Sequence, residues 1–143
     1  MIRRPRLVRD ARGAATVEFA VMLPLLVLVL LGVLDLGQAA EQTIRLEAAA
    51  RAGAQYGLYF PEDGAGITQR VRDALPPGWT DITVAPPAMV CECPASGTIA
   101  CANAPSCADP VRRFLPITVT RPFEARLLTR ITQLSGDVTL RLQ

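Results

Sequence analysis

Apolar residues crowd into one stretch near the start of the chain. Residues 14–36 read AATVEFAVMLPLLVLVLLGVLDL, with Glu18 and Asp35 its only charges. As a helix this stretch covers roughly 34 Å, enough to cross the hydrocarbon of a bilayer. Pro24 lies inside it, where a soluble helix would kink but a membrane helix tolerates the lost hydrogen bond. The helical pattern continues over 38–60. There Ile44, Ala48, Ala52, Tyr56 and Phe60 recur every four residues, predicting one apolar stripe that faces the protein's own sheet. Glu41 with Arg45 and Glu47 with Arg51 form favourably oriented i,i+4 pairs. Small residues at 48–50 and 52–54 let another backbone approach closely. Ala14 to Phe60 is thus read as one rod of about 70 Å, its first half in lipid.

Pro61 and the EDGAG sequence after it stop this helix. Ile67, Val71 and Leu75 then mark a short amphipathic helix over 67–75, ended by Pro76-Pro77-Gly78. Alternation predicts three strands: 81–85 with Ile82 and Val84 inward, 115–120 with Ile117 and Val119 inward, and 138–142. Residues 121–135 read as a loop with a helical turn within 123–132. The expected class is α+β: a long N-terminal helix, its first half transmembrane, followed by a small antiparallel sheet with disulfides. The chain divides into a basic leader (1–13), a transmembrane helix (14–36), its extracytoplasmic continuation (37–60) and a small α+β domain (61–143).

Charge orients the rod. The formal net charge is only +2, yet Arg3, Arg4, Arg6, Arg9 and Arg12 precede the apolar run with Asp10 alone against them. Arginines beside an apolar helix hold that end in the cytoplasm, so the rest of the chain is expected outside it. The basic tail abuts a hydrophobic segment rather than interleaving with aromatics, and no nucleic-acid partner is expected. The chain has no histidine, which excludes histidine-based catalysis and histidine metal sites. No serine–base pair, phosphate loop or carboxylate pair forms a catalytic motif, so the chain is read as a non-enzyme with no cofactor.

Glu18 is the misfit of the apolar run. A carboxylate at depth in lipid costs on the order of 2–3 kcal/mol or more unless paired. It either snorkels to the cytoplasmic interface beside Arg12 or pairs with a positive group of a partner. The string Gly13-Ala14-Ala15-Thr16-Val17-Glu18-Phe19 resembles the cleavage signal of type IV prepilins. The glutamate followed by an aromatic, Phe19, is similar to the type IVb, or tight-adherence, branch. The longer run through LEAAARAGAQY at 46–56 resembles TadE-like pilus-assembly pseudopilins.

That resemblance implies cutting between Gly13 and Ala14 by a prepilin peptidase, and recognition or assembly through Glu18 and Phe19. The new Ala14 amine would pair with Glu18 of a neighbouring subunit. It also implies other pilin or pseudopilin subunits and an inner-membrane assembly platform as partners. The protein would be a single-pass inner-membrane protein with its C-terminal domain in the periplasm. A secretory signal peptide ending at Gly37-Gln38-Ala39, before Ala40, is the competing reading. It would deliver a secreted or signal-anchored binding module with no pilus role.

Cys91, Cys93, Cys101 and Cys107 lie in a Pro/Ala/Gly/Ser-rich segment. A Cys91–Cys93 bridge would close short, strained loops, so each is expected to pair with Cys101 or Cys107 in either combination. A four-thiolate zinc site and a redox CxC pair are the rival readings. The spacing lacks paired zinc knuckles, and an extracytoplasmic location favours oxidation.

Overall fold

The computed structural model describes residues 11–94, 97–101, 107, 110–127 and 130–142, with side chains from Thr16 onward. The leader arginines Arg3, Arg4, Arg6 and Arg9 lie outside the described residues, as does the Arg12 side chain. One helix, α1, runs without interruption from Ala11 to Gly57 with Pro24 inside it. A second, α2, spans Gly64–Asp73. Among the described residues five strands follow: β1 Thr83–Val84, β2 Val90–Cys93, β3 Gly97–Ile99, β4 Arg112–Pro122 and β5 Gln133–Leu142.

The sheet is antiparallel and built around β4. Along one edge β4 pairs with all of β5, from Arg113 opposite Leu142 to Pro122 opposite Gln133. Along its other edge β1 pairs at Val119 and Thr120, and β2 at 112–114. Pro116 falls between those two pairings, where its missing N–H costs no ladder bond. β3 extends the sheet beyond β2.

One face of this sheet lies on the distal half of α1. Leu115, Ile117 and Val119 of β4 are fully buried there, with Leu134 of β5 beside them. Each such side chain contributes about 1.5–3 kcal/mol through removal from water. α2 closes the other flank of α1 with Ile67 and Val71, and Leu75 follows, as its apolar spacing predicts. α2 begins earlier than the sequence reading placed it, because Asp63 caps its N-terminus and the glycines after it form its first turn.

The core stripe of α1 differs from the expected one. Ala39, Leu46, Ala49, Ala50 and Ala54 are buried, whereas Ile44 is 67% exposed and Phe60 lies outside the core. Residues four apart drift about 40° per step around a helix, so the predicted stripe winds off the core face. The true stripe alternates steps of three and four. It is built from small residues, which bring the sheet against the helix backbone. A Cβ on Gly136 of β5 would meet the Glu47 nitrogen and the Leu46 carbonyl carbon.

The strand count also differs. Three strands were expected, and β2 and β3 lie in the cysteine segment that was read as irregular. Both are short, and their pairing to β4 carries them rather than their own sequence. The expected strand over 81–85 shrinks to Thr83–Val84, although Ile82 is buried as read. Among the described residues of 123–132 there is a bend rather than a helical turn.

Candidate functional site

Three features of α1 define its chemistry: a bare apolar length, a carboxylate within it, and a collar where the domain takes hold. Residues 16–30 are exposed throughout, with Phe19, Val21, Leu25, Leu26 and Val29 each about 60–70% exposed. By length and composition this helix could cross a membrane. Glu18 is exposed near its start, one residue before exposed Phe19. The Gly13–Ala14 bond lies within α1.

Coverage begins at Leu31 and Gly32. The loop between β4 and β5 reaches back to this turn of the helix. Its Leu127 backbone N–H donates a 2.6 Å hydrogen bond to Asp35 Oδ2. A Cβ placed on Gly32 would lie 3.6 Å from Leu127 Cδ2. Asp35 is 2% exposed despite its place at the edge of the apolar run. The loop covers it. No local signal at Asp35 reveals this, because its partner lies 92 residues away.

Two turns farther out, Arg121 ties three segments together. Its Nε donates to both Asp81 oxygens at 3.0 Å, and its Nη1 donates to Gln42 Oε1 of α1 at 3.1 Å. The guanidinium carbon sits 4.0 Å from the centroid of the Trp79 ring. The Arg121 hydrogen bond holds the Asp81 carboxyl below its ordinary range. Charge-assisted bonds plus stacking make this an arginine site that lysine could not fill. The chain's single tryptophan was the sequence signal for it, and went unread.

At the far end, Tyr56 donates to Asp63 Oδ2 at 2.8 Å, and the Gly66 amide donates to Asp63 Oδ1 at 2.9 Å. These bonds lower the Asp63 carboxyl, the Gly66 amide most, and the bond to Asp63 raises the Tyr56 phenol. The pairs Glu41–Arg45 and Glu47–Arg51 stand at 2.7 and 3.4 Å, as their spacing predicts.

The four cysteines form two disulfides, Cys91–Cys101 and Cys93–Cys107. Each closes a short loop within the β2–β3 region and lies far along the fold from Glu18. The bridges therefore hold the edge of the sheet.

Residues 13–55 match the family model described as TadE-like protein. This segment is similar to TadE-like proteins. The match covers the bare helix, Glu18, Asp35 and the small-residue stripe, and stops before α2 and the sheet. Comparison with curated proteins and with solved structures finds no match.

Proposed function

We propose that this protein is a minor pseudopilin, a pilus-assembly component of a bacterial tight-adherence (type IVb) system. It works by helix packing rather than by catalysis, and needs no cofactor. The leader stays in the cytoplasm, α1 crosses the inner membrane and the sheet domain stands in the periplasm. A prepilin peptidase cuts between Gly13 and Ala14.

The observation that carries this reading is the exposed carboxylate of Glu18 on an otherwise bare apolar helix, inside the TadE-like match. Among the described residues no contact uses a carboxylate there, and lipid penalises one. A neighbouring subunit's Ala14 amine, created by the cut, offsets that penalty and sets the register between helices. Other pilin or pseudopilin helices supply the partners, and an inner-membrane platform assembles them.

The secreted-module reading has less support. Ala39, the residue before its cut, is buried in the core within unbroken α1. A cut there would also detach Asp35 from the loop it holds.

The test is crosslinking of Glu18→Gln to pilin-type partners, at matched membrane levels and after cleavage is verified. Breaking one member of a buried charge pair typically costs about 3–5 kcal/mol. Association should fall sharply while the protein remains in the membrane. Undiminished association would reduce Glu18 to a residue read by the peptidase.

A further inference from the structure

Counted from Thr16, where side chains are first described, the bare part of α1 is shorter than a bilayer. Residues 16–30 make about 22 Å of helix, whereas the hydrocarbon core is about 30 Å thick, or about 20 helical residues. A span counted from Ala14 therefore ends near Val33, and one counted from Thr16 ends near Asp35. In both cases it includes Gly32. That is the turn against which Leu127 lies. A loop in contact with Gly32 and bonded to Asp35 sits at the depth where hydrocarbon gives way to headgroups.

The loop is built for that depth. Its neck is closed by the Phe123 amide, which donates to the Thr132 carbonyl at 2.9 Å. Beyond the neck, Leu127 is 41% exposed although it sits at the bilayer edge of the helix. Arg126 and Arg130 are exposed on either side of it. Glu124, the loop's other described charge, stands back at the neck with Gln38 and Arg121. An apolar side chain flanked by arginines matches a phospholipid surface, acyl chains below and phosphates above. The same placement accounts for Asp35: the Leu127 amide satisfies a carboxylate that would otherwise face lipid.

We propose that the β4–β5 loop is a second membrane contact, with Leu127 in the acyl boundary and Arg126 and Arg130 on lipid phosphates. The contact fixes the tilt and rotation of the sheet domain relative to the bilayer, and so the face that α1 offers to neighbouring helices. This proposal rests on α1 spanning a membrane.

The test is depth-resolved quenching of the full chain in phosphatidylglycerol-containing vesicles, with Trp79→Phe removing the chain's single tryptophan. Leu127→Trp reports the loop and Leu30→Trp reports the helix. Lipids brominated near the headgroup should lower Leu127→Trp emission about twofold, as expected for a side chain seated some 5–10 Å into the interface. Lipids brominated deep in the chain should quench Leu30→Trp. Charge reversal at Arg126 and Arg130 should abolish the shallow quenching.

If Leu30→Trp is quenched and Leu127→Trp is not, the spanning helix stands and the loop contact falls. Blue-shifted but unquenched Leu127→Trp emission would put the loop against protein and overturn the proposal equally. If Leu30→Trp is unquenched by any lipid, the spanning helix falls and the loop contact with it. The unaltered chain gives an independent reading through arginine modification in the same vesicles. Arg126 should be protected relative to exposed Arg112, and equal modification would contradict the proposal.

Discussion

The Leu127 amide and the Asp35 carboxylate meet at 2.6 Å across 92 residues of sequence. This bond joins the end of the apolar helix to the loop between the two longest strands. The sheet domain therefore does not hang from a flexible tether. It grips α1 from Leu31 to Gly57, and motion of the helix is motion of the domain.

Removing that grip has a specific expected outcome. Asp35→Ala leaves the Leu127 amide without this acceptor, a loss of about 1.5–3 kcal/mol for a part-buried hydrogen bond to a carboxylate. Asp35→Asn keeps an acceptor oxygen and should cost less. Trypsin cleavage after Arg126 should accelerate in the alanine variant and only slightly in the asparagine variant. Equal cleavage in all three proteins would mean that the bond does not hold the loop.

Gly136 and Gly37 should respond oppositely to the same change. Gly136→Ala drives a methyl group into the α1 backbone at Leu46 and Glu47 and should destabilise by about 1–3 kcal/mol or more. A Cβ on Gly37 meets nothing within 4 Å. Gly37→Ala should stabilise the helix by about 0.5–1 kcal/mol. Thermal unfolding followed by circular dichroism reads both, and a tolerated Gly136→Ala would refute the close sheet–helix contact.

These two glycines also mark what the sequence made legible. The apolar run follows from composition, and α2, β4 and the second half of β5 follow from local periodicity, because each of these three buries one face along its own length. β2 and β3 do not, since their residues are set by pairing with β4 and by two disulfides rather than by alternation. The core stripe of α1 was misread for a related reason. Ala49, Ala50 and Gly53 carry little hydropathy signal, yet all three are buried, and α2 packs closely on Gly53 through Val71 and Ile67. At the candidate site, Gly13, Glu18 and Phe19 stood out by motif. Asp35, Leu127, Arg121 and Trp79 did not, because their roles depend on contacts between distant segments.

The disulfides should be complete in the mature protein. Alkylation of the denatured, unreduced chain should label no cysteine, and peptide mapping should recover Cys91–Cys101 and Cys93–Cys107. Each bridge should contribute about 2–4 kcal/mol, chiefly by restricting the unfolded chain. Four labelled cysteines, or release of zinc, would contradict the assignment.

Stability should fall at both ends of the pH scale for opposite reasons. Asp63 and Asp81 have lowered carboxyl values in the fold, so the unfolded chain binds protons more readily. Their contribution is complete above the ordinary value of 3.8 and is lost as pH falls through the lower folded values. Tyr56 is raised above 10.0, so its contribution is complete below that value and is lost as pH climbs through the higher folded one. Asp81→Asn and Tyr56→Phe should flatten the acid and alkaline limbs respectively when denaturant midpoints are plotted against pH. Unchanged limbs would count against these bonds.

The central claim is that a TadE-like helix enters assembly after losing its basic leader. Its most direct test is the intact mass and N-terminal sequence of the protein extracted from membranes of cells that carry the pilus system. The expected result is a chain beginning at Ala14, with Gly13→Leu retaining the leader and beginning at Met1. A chain beginning at Ala40 would establish the secretory reading instead. Wild type and Gly13→Leu both beginning at Met1 would contradict the processed-pseudopilin account.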